Sequence, residues 1–134
     1  MLGSNILIDE NGYILEIITD NEDIDLPLLN GIETFSMVIN ERVETDNQEL
    51  LEIFLEVLKS LKNNDMLTNI VKIEKNESVL LYTKGGHIVN IGDISDLNYK
   101  MLRLKAVLDK NDIVPLHIDV SNVNIWPVSK PLWN

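Results

Sequence analysis

Cysteine is absent from the 134 residues, which removes disulfides, thiolate metal sites and cysteine nucleophiles together. Basic residues are nearly missing from the first third: residues 1–46 hold eleven acids and one base, Arg42. Residues 47–134 hold eleven acids and ten bases, so the net charge of −11 belongs to the first third. A field of that sign repels phosphate backbones, whose binding proteins displace counterions with Lys and Arg, and it gains nothing at an anionic lipid surface. Neither nucleic acid nor direct lipid contact is expected. The acidic third reads as a solvated face, with a basic partner as the sharper alternative. A run of about 20 apolar residues, the length that spans a bilayer, is also missing, because the most apolar stretch, 50–61, is broken by Glu52, Glu56 and Lys59. Met1, Leu2, Gly3 and Ser4 run straight into a strand pattern with no charged region before it, so no signal peptide is expected.

What is present is a globular balance, 45% hydrophobic and 25% charged, at a length that supports a single domain over 1–134 with a core that needs no staples. Residues 5–17 read as two apolar strands around Asn11-Gly12, a pair suited to a tight hairpin turn. Residues 20–25 form an acidic connector. The following Leu26-Pro27-Leu28-Leu29-Asn30-Gly31 is irregular but apolar and is expected to pack on the body. A helix over 47–62 has Asp46 as its cap, with Glu49 reaching back, and Leu50, Phe54, Val57, Leu58 and Leu61 along one face. Residues 70–73, 79–83 and 87–91 read as an antiparallel meander turning at Asn76-Glu77 and Gly85-Gly86. A second helix over 96–110, capped by Ser95 or Asp93, has a stripe of Leu97, Met101, Leu104, Val107 and Leu108. Beyond it, 116–128 looks extended, with Ser121-Asn122 as a break. Pro127 and Pro131 place the last strand at an edge, or end its pairing near Pro127, because proline cannot donate to a ladder. The class expected is α+β, an antiparallel sheet with two helices packed on it and a short tail over 129–134.

Catalytic chemistry has little to work with. The only histidines are His87 and His117. His87, beside the Gly85-Gly86 turn, reads as an exposed turn residue. His117 and Asp119 at i, i+2 share one strand face and make the alternative reading, a small-ligand or hydrolytic site, but two ligands are not a metal centre. No catalytic residue, metal site or cofactor is assigned. The tryptophans, Trp126 and Trp133, both fall near the end among prolines. Trp126 is expected to tack the tail onto the domain and Trp133 to meet a partner. The edge strand beside them offers unpaired main chain for strand addition.

The run Leu80-Leu81-Tyr82-Thr83-Lys84-Gly85-Gly86-His87-Ile88-Val89-Asn90-Ile91-Gly92-Asp93, then Leu97-Asn98-Tyr99-Lys100-Met101 with Leu104 and Leu108, then Ile118-Asp119-Val120, resembles the extracytoplasmic β domain of the bacterial cell-division proteins DivIB and FtsQ. Ile6-Leu7-Ile8-Asp9-Glu10-Asn11-Gly12-Tyr13 and Leu26-Pro27-Leu28-Leu29-Asn30-Gly31 match in kind, so the resemblance covers nearly the whole chain; Ser121 stands where the family's closing motif has arginine. The resemblance implies a C-terminal fragment whose cytoplasmic tail, membrane span and POTRA domain lie upstream. It also implies a non-enzymatic scaffold on the outer face of the cell membrane at the division septum. The partners implied are the extracytoplasmic parts of FtsL and DivIC, called FtsB in other bacteria, held partly by strand addition. On this sequence the contact would run over Ser121, Asn122, Val123, Asn124, Ile125 and Trp126, with registry from the main chain at 123–125 and with Tyr99, Lys100 and Arg103 on the rim.

Overall fold

The computed structural model describes residues 4–19, 24–35, 38–110 and 115–132. The chain opens with the expected hairpin, β1 (Ser4–Ile8) and β2 (Ile14–Thr19), paired antiparallel as a separate two-stranded sheet. Its turn is organised by Asp9, whose carboxylate accepts the amides of Asn11 (2.9 Å) and Tyr13 (3.0 Å), while Gly12 takes the left-handed conformation at φ 87°. Of the acidic connector, 20–23 lie outside the described residues. The apolar stretch after it supplies β3 (Leu28–Leu29), a two-residue strand parallel to the middle of β4, with Leu28 opposite Lys72 and Leu29 opposite Ile73.

Helix α1 (Gln48–Asn63) is capped by Asn47, whose side chain accepts from the Leu50 amide at 3.0 Å. The expected cap, Asp46, is occupied elsewhere, accepting the Glu33 amide at 3.0 Å and holding the preceding loop closed. The helix ends in a Schellman motif. Asp65 is left-handed at φ 55°, the Met66 amide reaches Leu61 O (2.8 Å) and the Asp65 amide reaches Lys62 O (3.2 Å). Its apolar stripe is wider than a single helix face, because α1 is sandwiched. Phe54, Val57 and Leu61 enter the main core, whereas Leu51 and Leu55 join Ile14 and Val43 in a second, smaller cluster under the hairpin.

The meander is as expected: β4 (Ile70–Lys75), β5 (Val79–Thr83) and β6 (Ile88–Gly92) pair antiparallel in succession. Helix α2 (Leu97–Lys110) then crosses over to β7 (Leu116–Asp119), which lies parallel to β6, and β8 (Val128–Pro131) closes the sheet antiparallel to β7. The order is β3-β4-β5-β6-β7-β8. The protein is therefore α+β as expected, with two parallel pairs where a helix separates successive strands, since only a crossover can join parallel neighbours. Alternation along β5 and β6 places Val79, Leu81, Val89 and Ile91 in the main core against both helices, with Met101 and Leu104 from α2. No described helix is long and apolar enough to cross a membrane.

Two expectations fail at the C-terminal end. Residues 123–125 form a turn and no strand, and the final strand is β8, drawn from residues placed mainly in the tail. The β-prone Val123 and Ile125 lose to Asn122, whose side-chain oxygen accepts the Asn124 amide (3.0 Å) and whose carbonyl accepts the Ile125 amide (3.4 Å). The edge position of the last strand holds, with pairing that begins after Pro127.

Candidate docking groove

Strand β7 delivers the chain to the site. Val120, fully buried, donates its amide to Asn90 O at 3.0 Å, and Asp119 accepts from the Ser121 amide (2.9 Å) and hydroxyl (2.5 Å), fixing the exit from the sheet. Ser121 packs against Gly92, where an added Cβ would stand 2.9 Å from that of Ser121. Glycine at 92, at φ 71°, is thus required by the serine beside it as well as by the turn. The next turn is tied to α2 by Arg103, whose Nη1 donates to Asn122 O at 2.9 Å while its guanidinium stacks 5.4 Å from the centre of the Tyr99 ring.

Between helix and turn runs a groove of about 320 Å³. Tyr99, Arg103, Ala106, Val107 and Lys110 form one wall, and residues 123–127 form the other. Six of the residues picked out from sequence meet here: Tyr99, Arg103, Val123, Asn124, Ile125 and Trp126. Ser121 and Asn122 lie just upstream and hold the turn in place. Trp126 does not tack the tail down, contrary to expectation: it is 89% exposed, beside Ile125 at 54%. The short turn points the indole outward, and β7 pairing secures the tail in its place. Trp133 lies outside the described residues.

Lys100 is the clearest departure. It is not on the rim but 1% exposed, its ammonium donating to Asp93 O (3.0 Å) and Oδ1 (3.2 Å). Asp93 also accepts from the Ser95 hydroxyl and amide, and these bonds with that of Lys100 hold its carboxyl at about 2. Asp93 therefore organises the approach to α2 without bonding a helix amide. Ala106, Val107, Lys110 and Pro127 were not singled out as site residues. The signal for Ala106 and Lys110 was the helical spacing of 99, 103, 106 and 110, which describes one face of α2; Val107 and Pro127 carried none of that spacing.

The histidines fall at neighbouring strands, His87 just before β6 and His117 on β7 opposite Ile88, but in different surroundings, His87 buried and His117 exposed. His87 is 5% exposed, correcting the turn-exposed reading: its Nδ1 accepts the Leu116 amide at 3.0 Å, and burial holds its imidazole below the ordinary value. His117 and Asp119 share an exposed face of β7, with the Asp119 carboxylate already engaged by Ser121. Among the described residues no group of three or more His, Asp or Glu is placed to hold a metal ion.

Fold and groove together define an α+β domain that carries an aromatic-rimmed groove close to a sheet edge. The chain belongs to the FtsQ/DivIB family: the family model for the C-terminal region of cell division protein FtsQ/DivIB matches residues 1–123. That family is a cell-division scaffold family of division-site membrane proteins whose C-terminal domain is extracellular. The match ends at Val123, so Trp126 and β8 lie beyond it. Among curated proteins no match is found.

Proposed function

We propose that this domain is a non-catalytic docking module of the division septum, and that it binds the extracytoplasmic parts of FtsL and DivIC (FtsB) at the groove between α2 and residues 123–127. The observation that carries the reading is Trp126. An indole 89% exposed, next to an exposed isoleucine and over a groove, is the kind of aromatic anchor that dominates protein interfaces. Strand β8 adds a second element. It is the last strand of the sheet, all four of its residues are exposed, and among the described residues no strand pairs with its outer edge, which leaves room for an added strand. Strand addition therefore belongs to 128–130, ahead of Pro131, and the 123–125 turn supplies side chains. Among the described residues, the charged side chains lining the groove are Arg103 and Lys110, cations in a chain of net charge −11, which favours an acidic partner face.

The experiment is a titration of the domain with the extracytoplasmic FtsL–DivIC pair, repeated with Trp126→Ala. Loss of an exposed interface anchor weakens binding by about 30-fold or more, with an unchanged circular dichroism spectrum because the side chain supports nothing in the fold. Equal affinity of wild type and variant would refute the groove as the docking site.

A further inference from the structure

A larger cleft lies at the other end of the molecule. It measures about 470 Å³, within the range that accepts a ligand or several side chains. One wall is residues 5–11, which is β1 and its turn; the other is residues 26–29; Leu51, Leu58 and Leu67 lie between them. Strand β1 bonds only to β2, and among the described residues no backbone bond leaves its other side. Across the cleft, Leu26 and Leu28 are 41% and 48% exposed, so apolar surface faces an unpaired strand edge.

The charge around this cleft selects the occupant. Asp9 and Glu10 line one end, and the chain neighbours of the lining threonines Thr34 and Thr45 are the exposed Glu33, Glu44 and Asp46. The sole cation in the lining, Lys62, is already paired with Glu10 at 3.2 Å. A second copy of the chain would bring a second acidic third against the first, which like-charge repulsion opposes. A small apolar molecule would fill the volume and leave the main-chain row unused.

We infer that this cleft captures an extended segment of another protein, apolar at alternate positions and flanked by lysine or arginine, which joins the free edge of β1 as a third strand. Its alternate side chains enter between Ile6, Ile8 and Leu28, its outward-facing side chains remain in solvent, and its cationic ends meet the carboxylates. This inference is independent of the Trp126 groove.

The probe is a fluorescent peptide of alternating valine and threonine with paired lysines at both ends, compared with the same peptide carrying glutamates. Anisotropy should show the lysine form binding at least about tenfold more tightly. Leu28→Ser, at an exposed position that leaves the core intact, should weaken it about fivefold. N-methylation of alternate peptide amides on the pairing side should abolish binding, and peptide-induced amide shifts should fall on residues 5–8 and 26–29. Trp126→Ala should bind the peptide as wild type does. Indifference to peptide charge, full affinity of the N-methylated peptide, shifts at the 123–127 turn, or concentration-dependent self-association occupying the cleft would each overturn the inference.

Discussion

The two ends of this molecule are built differently. Around α2 and β8 the surface rests on the main core, which among the described residues holds fifteen buried side chains, most of them from both helices and the large sheet. Under the β1–β2 hairpin lies a cluster that holds, among the described residues, four buried side chains, Ile14, Val43, Leu51 and Leu55, connected to the main core through Ile32 and Leu58. The first region presents a groove lined by cations, the second a cleft edged by acids. A shared helix, α1, serves both cores, so a rigid sheet and a lightly supported hairpin coexist in one fold without a linker. The comparison teaches that the acidic third is more than a solubilising face: its charges edge an apolar cleft.

Removing one large side chain from each core breaks the comparison most directly. Phe54→Ala empties the main core and should cost about 4 kcal/mol, lowering the urea midpoint of the whole domain. Leu51→Ala, on the same helix, should cost about 3 kcal/mol. Its signature is also different: hydrogen exchange should quicken in β1 and β2 before β4–β6 respond. Equal loosening of hairpin and sheet in both variants would show a single cooperative core.

A smaller effect comes from His87. Burial keeps its imidazole neutral in the fold, where Nδ1 accepts from Leu116 at the start of β7. As pH falls past about 6.5, the unfolded chain takes up a proton that the fold refuses. Stability from this residue is therefore complete above that pH and declines below it, until His87 itself protonates. His87→Asn retains an acceptor oxygen near the Nδ1 position and should flatten this part of the profile between pH 7.5 and 5.5 in urea titrations. An identical pH slope in wild type and variant would contradict it. The smallest effect belongs to the exposed Lys62–Glu10 pair, where Lys62→Ala should cost under about 1 kcal/mol. A larger loss in thermal unfolding would mean that this bridge closes the hairpin onto α1.

Much of the fold was legible because its elements are strongly periodic. Asn11-Gly12, the 79–91 hairpin and the stripes of both helices each carried a local signal that tertiary contacts reinforced. The failures are tertiary in origin. Asp46 and Asn47 are both good caps, and what decides between them is the Glu33 amide, thirteen residues from Asp46. Lys100 has no local reason to be buried; Asp93, seven residues before it, makes the site polar. His87 is closed over by Leu116, twenty-nine residues later, an approach that no window on the Gly85-Gly86 turn reveals. At the groove, Tyr99, Arg103 and residues 123–126 come together as lining, whereas the backbone expected over 123–125 was wrong. Propensity favoured a strand over 123–125, whereas the side chain of Asn122 built a turn and moved the edge strand to β8.

The most direct measurement is residue-resolved hydrogen exchange on the domain with and without the extracytoplasmic FtsL–DivIC pair, following the Trp126 indole N–H and the backbone amides together. Slowed exchange at Trp126 and at 128–130, with residues 5–8 unchanged, is the result predicted. Protection confined to β1 and residues 26–29, with the indole still exchanging freely, would contradict the proposal that FtsL and DivIC dock at the groove.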